Sequence, residues 1–296
     1  MKRLLAATVM GSMLLAGSVF ADRDPDVDKA IKSRYPDATS EVTGNRTVNG
    51  VKVYAVNVKM KEGDSVAEIT EFGDFLLYGV PLKKSMPKSA VETLQGLFKA
   101  NPDAVEQYRA TSYLADLPSG KKTYRLRFDA VGRLLDIDQA QDAETMKNME
   151  KADDAGAKKA QELAERWNAG LTTENVYFTD DSHEFYLVDL KNKNGKDAQI
   201  TMNADGNVAG FRNEIDKSEI PEPVQATMNK LFDASKVKTV YKAEYQFYEY
   251  EQPMGDNEAT IRVRTNGEVM SITPREADSK EEESPVRKAS KKNKGK

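Results

Sequence analysis

Four glycines punctuate this chain, and no other feature restricts its fold so tightly. They are Gly73, Gly132, Gly206 and Gly267, separated by 59, 74 and 61 residues. Four residues before each stands Ile69, Phe128, Met202 or Val263. Two after come Phe75, Leu134, Val208 and Val269; five after come Tyr78, Ile137, Phe211 and Ile272. Every one of these positions is apolar. A stretch, a glycine and a second stretch is the pattern of a β-hairpin, and Asp205-Gly206 and Asn266-Gly267 are strong hairpin dipeptides. Glycine suits a turn that needs a positive φ, which a side chain resists. Recurrence at a fixed spacing predicts internal repeats of about sixty residues, with one insertion near the middle.

The repeats also begin alike. Pro87 opens a segment with Val91, Leu94, Leu97 and Phe98 at helical spacing, and Pro221 opens one with Val224, Met228, Leu231 and Phe232. Val27, Ile31 and Tyr35 take this role in the first repeat, and Ala160, Leu163 and Trp167 in the third. Earlier strands follow each helix. Tyr54, Val56, Val58 and Met60 alternate in the first repeat, Tyr124, Leu126 and Phe128 in the second, Tyr186, Val188 and Leu190 in the third. Period two with one apolar face predicts antiparallel sheet covered on one side. The expected fold class is therefore α+β: four tandem units of one helix packed on an antiparallel β-meander, paired into two domains. Asp153-Asp154-Ala155-Gly156 breaks a charged, helix-forming stretch and marks the expected boundary, giving repeats 1 and 2 in residues 22–148 and repeats 3 and 4 in residues 149–276.

These units resemble PepSY-like repeats, a family that includes β-lactamase-inhibitor-protein-like folds. The resemblance rests on the proline-started helices (Pro87, Pro221), the Tyr35-Pro36 pair and the terminal turns FDAVG and NADGN, and it spans residues 24–275. The third repeat lacks the proline and the fourth substitutes a TNG turn. The resemblance implies exported proteins with a helix backed onto a sheet whose other face binds a protein or peptide; some relatives inhibit hydrolases.

Lys2 and Arg3 precede an apolar stretch to Phe20, and Val19-Phe20-Ala21 places small residues for a cut after Ala21, so residues 1–21 read as a secretory signal peptide. That places the mature chain in the periplasm or outside the cell, with no later transmembrane segment expected. The chain has no cysteine, which excludes disulfides, thiolate metal sites and thiol catalysis. Removing Lys2 and Arg3 takes the formal charge from −4 to −6. Residues 277–296 carry seven basic and four acidic groups and almost nothing apolar, and read as a disordered charged tail. The remaining body is near −9, which argues against nucleic acid as a partner.

Several residue groups raise a site. Arg127 and Arg262 stand five residues before Gly132 and Gly267, on the non-core side of matching strands; with Arg125 and Arg264 they would line an open face that accepts an acidic partner. The alternative is that they merely solubilise that face. Between Tyr241 and Met254, alternation sends Tyr245 and Phe247 one way and Tyr248 and Tyr250 the other, so some of these rings face outward unless another element covers them. Asn203, Asp205, Asn207 and Glu214 match part of a calcium loop, yet their flanks read as strands and a hairpin turn explains them. His183 is the only histidine and has no nucleophile-elbow serine beside it. No phosphate-binding loop or dinucleotide fingerprint occurs. The sequence thus implies no catalytic residue, no metal and no cofactor. It points to an exported non-enzymatic binding or inhibitor-like protein that contacts a protein or peptide partner in the cell envelope. A ligand- or metal-sensing module and an acid-catalysed hydrolase are the alternatives.

Overall fold

Helix ends follow the local chemistry. In α1 (Pro25–Arg34), the Asp24 carboxylate accepts the Asp26 N–H at 3.1 Å, and Val27 and Ile31, one turn apart, are buried. Helix α2 (Lys88–Phe98) follows Pro87, buries Ala90 and Leu94, and stops at Lys99, whose φ of 55° is left-handed. Helix α3 (Ala155–Trp167) lacks a proline but has Asp154, which accepts the Ala157 N–H at 2.6 Å. Its inner face is Ala157, Ala160 and Ala164, small enough to lie close on the sheet. Helix α4 (Glu222–Leu231) follows Pro221 and buries Val224 and Met228.

The computed structural model describes residues 24–61, 63–80, 86–101, 104–140, 148–168, 170–179, 183–192, 194–254 and 257–275. The expected signal peptide and charged tail lie outside these residues. The described chain forms two compact units, residues 24–75 and 76–275. The first holds α1 and the meander β1 (Thr39–Val48), β2 (Val51–Met60) and β3 (Gly63–Thr70). Here the helix sits on its own hairpin turn, since a Cβ on Gly73 would lie 2.8 Å from the Asp26 carbonyl oxygen.

The larger unit is built on two long strands, β5 (Glu106–Ser119) and β12 (Thr239–Met254), paired antiparallel from Thr239↔Asp116 to Glu249↔Glu106. Along its other edge β5 meets β4 (Phe75–Val80), then β6 (Lys122–Phe128), which leads to β7 (Leu134–Gln139). Likewise β12 meets β11 (Val208–Ile215), then β13 (Asn257–Arg264), which leads to β14 (Val269–Arg275). Beyond β11 lie β10 (Asp197–Met202), β9 (Tyr186–Asn192) and β8 (Leu171–Phe178).

This arrangement corrects the expected fold class. The described residues are mostly antiparallel sheet, fourteen strands with four helices, and not four tandem units each closed by its own helix. The second and fourth repeats contribute no four-stranded meander, and their helices are exchanged. α2 covers Tyr248, Ile261 and Val263 of β12 and β13, and a Cβ on Gly267 would lie 2.7 Å from the Ser89 carbonyl. Conversely, a Cβ on Gly132 would strike the Pro223 carbonyl of α4. The physical reason is the β5–β12 pairing, which brings the two repeats head to tail so that each helix meets the neighbour's hairpin.

The four glycines do occupy left-handed turns, with φ of 84°, 78°, 81° and 86°. In each, the glycine N–H donates to the carbonyl three residues earlier: Thr70, Asp129, Asn203 or Arg264.

Within the larger unit, register fixes two faces. Tyr248 and Val263 are cross-strand partners beneath α2, while Val188, Ile200 and Met202 lie beneath α3. The intervening residues therefore share the opposite face, which these helices leave bare.

Candidate functional site

The bare face carries a hollow of about 580 Å³ across β6, β5, β12, β11, β10 and β9, with Arg264 of β13 at one rim. Alternation aims Arg125 and Arg127 into it from β6, Arg212 from β11 and Tyr245 from β12. Gln199 and Thr201 supply hydrogen-bonding groups from β10, and Leu114, Phe185 and Leu187 supply apolar wall. The lining thus combines fixed cations with apolar surface, as small-ligand and side-chain sites usually do.

The arginines differ in how their charge is met. Arg125 forks onto Asp116, Nε and Nη2 each donating at 2.8 Å, and lies over the Tyr241 ring at 5.3 Å. Arg212 lies 5.1 Å from the centre of the same ring. Burial, and secondarily the positive Arg125, lowers the Arg212 pKa to about 10. Arg264 reaches the exposed Glu268 carboxylate with Nη1 at 3.3 Å, but its buried Nε has no hydrogen-bond partner. Neither Arg127 nor Arg212 makes an ion pair with a described residue. Burial raises the Tyr245 pKa, opposed by Arg127, Arg262 and Arg264 around it.

Cross-strand register explains the inequality. The residue opposite Arg125 is Asp116, and the one opposite Arg262 is Glu249, which accepts from Arg262 Nε at 2.8 Å. On the long central strands Leu114 stands opposite Arg127 and Phe247 opposite Arg264, while Arg212 lies between Gln199 and Ala243; on its other side Arg127 faces Asp136 of β7. Of these three guanidinium groups only Arg212 has no carboxylate across either neighbouring strand; Asp136 stands opposite Arg127 without forming an ion pair with it, and Arg264 reaches only the exposed Glu268 across its own turn.

Of the residues singled out from sequence, Arg125, Arg127, Arg264 and Tyr245 come together in the hollow. Arg262 shares their face but is tied to Glu249 and lies over Phe247 at 5.4 Å. Tyr248 and Tyr250 stand on the covered face. Tyr248 is 1% exposed beneath α2, Tyr250 packs against the same cluster, and burial pushes the Tyr248 phenol up to about 12. Arg212 was missed, although alternation from Phe211 places it opposite the core side. The partial calcium loop is a hairpin turn: Asn203 Oδ1 accepts the Asp205 and Asn207 N–H groups at 3.0 and 2.9 Å. His183 stacks on Phe178 with 3.9 Å between ring centres. Among the described residues no group of three or more His, Cys, Asp or Glu is placed to hold a metal, and no helix is long and apolar enough to cross a membrane.

No protein-family model matches the chain, and a search of curated proteins finds no significant match.

Proposed function

We propose that this is an exported, non-enzymatic binding protein of inhibitor-like type, which engages a protein or peptide partner in the cell envelope through the bare sheet face of residues 76–275. One observation carries the reading: a hollow of about 580 Å³ on that face gathers Arg125, Arg127, Arg212 and Arg264 beside Tyr245. Guanidinium groups and tyrosine are the side chains that most often anchor interfaces. The site offers preorganised donors, with no nucleophile–base pair among the residues named. Binding therefore fits it better than turnover.

The test is differential recovery of partners. Wild-type protein and a Gln199→Trp/Thr201→Trp variant, which fills the hollow, are each purified from the native host alongside a Gln225→Trp control on the exposed side of α4. The reading expects at least one protein recovered with wild type and control but lost with the filled hollow. Identical recoveries from all three proteins refute it.

A further inference from the structure

Two segments of the same element order, α2-β5-β6-β7 and α4-β12-β13-β14, here called the second and fourth, supply an internal standard for what the hollow lacks. Arg127 and Arg262 are equivalent, each five residues before its turn glycine, and so are the residues opposite them on the long central strands, Leu114 and Glu249; on the outer strands their partners are Asp136, which makes no ion pair with Arg127, and Ser271. In the fourth repeat the guanidinium has a carboxylate at 2.8 Å; in the second the same place holds a leucine that is 6% exposed. A second departure points into the same space. The turns beginning at Thr70, Asp129, Asn192 and Asn203 each begin with a side-chain oxygen that accepts a backbone N–H of its own turn. The corresponding residue of the last turn is Arg264, which cannot accept and instead lines the hollow with an unpartnered Nε. Departures from local rules that converge on one place are expected at functional sites.

We propose that the hollow is a carboxylate receptor: Arg127, Arg212 and Arg264 bind an acid group supplied by the ligand, whose apolar body lies against Leu114, Phe185 and Leu187. The guanidinium fork suits two-point carboxylate contact, and this chain makes that contact internally at Arg125–Asp116 on the same face. The inference rests on the binding reading above and specifies its ligand. Two sources present this chemistry, a peptide's terminal carboxylate and an acidic side chain within a peptide.

Isothermal titration at low salt uses three probes on the full chain. One is a hexapeptide ending in a free phenylalanine carboxylate, the second its C-terminal amide, and the third that amide with an internal glutamate. At least one acid-bearing probe is expected to bind ten-fold or more tighter than the plain amide, and which one does so identifies the source. Leu114→Glu, which restores the fourth repeat's pairing, should weaken that binding at least ten-fold. Arg127→Gln and Arg212→Gln do the same without placing a charge in the interior; urea midpoints confirm that each variant is folded. Equal affinity for all three probes overturns the proposal, as does acid binding that survives in folded Arg127→Gln and Arg212→Gln. Should the filled hollow lose its partner while the probes fail to discriminate, the binding reading stands and the carboxylate assignment alone falls.

Discussion

The hairpins β5–β6 and β12–β13 have one design and two outcomes. Each joins a long central strand to a shorter one and reaches a glycine turn pressed by a helix from the other repeat. In the first, Asp129 folds back on its turn: its carboxylate accepts the Val131 and Arg133 N–H groups and the Arg133 Nε at 3.2, 2.9 and 2.6 Å. The turn satisfies itself. In the second, Arg264 sends its cation to the bare face and leaves Asn266 Oδ1 to accept the Glu268 N–H at 3.3 Å. The ladders differ in the opposite sense: Arg262 pairs with Glu249, whereas Arg127, with Asp136 across β7, makes no ion pair with a described residue. Two turns with shared backbone and packing thus differ in the side chains they leave on the bare face.

The comparison breaks most visibly at the helix contacts. Gly132→Ala combines a left-handed φ with a backbone collision, and should cost roughly 3–4 kcal/mol in urea unfolding. Gly267→Ala, whose added atom would lie 2.7 Å from Ser89, should cost slightly less, about 2–3 kcal/mol. Gly50→Ala has the same backbone hand and nothing within 4 Å, so about 1 kcal/mol is expected. Equal losses at all three would mean that α2 and α4 do not press on these turns.

Asp129→Ala removes a buried acceptor from two amides and should destabilise by about 2 kcal/mol. Arg264→Asn gives the last turn the acceptor its counterparts have. It should stabilise by about 0.5–1 kcal/mol while weakening acid binding, a trade expected where function overrides local fit. A loss of stability would show instead that Arg264 serves the fold.

The smallest effect is alkaline. Burial raises the Tyr248 phenol from its ordinary 10 to about 12, so between those values the folded chain keeps a proton the unfolded chain has lost. That contribution is fully present below pH 10 and declines as pH rises toward 12. Arg212 runs oppositely: burial lowers its pKa to about 10, so over the same window the unfolded chain binds more protons and this group favours folding as pH rises. Urea midpoints between pH 9 and 11 should therefore fall less steeply in Tyr248→Phe, and more steeply in Arg212→Met, than in wild type.

Turn positions, helix starts and the phase of each strand were legible in the chain, because glycine, proline and period-two alternation act locally. Arg125, Arg127 and Arg264 followed from that phase. The exchange of helices was not legible. The apolar spacing of Val91, Leu94, Leu97 and Phe98 says that α2 has a buried face, but Ala90 is buried where Leu97 is left exposed, and the spacing does not say whose strands the helix covers. Which of the rings between Tyr241 and Met254 face outward is undecided by the sequence for the same reason, since the cover of Tyr248 comes from a helix about 150 residues away. The hollow depends on the β5–β12 and β11–β12 registers, which no periodicity within a single repeat encodes.

The β5–β12 ladder has a consequence for assembly in time. A nascent chain presenting its second quarter can pair β5 with β4 and β6, but α2 has no strands to cover and one whole edge of β5 stays open until Thr239–Met254 and Asn257–Arg264 emerge. Closing so long a loop is slow and leaves strand edges open meanwhile, so a chain that stops short of β12 should aggregate rather than fold halfway.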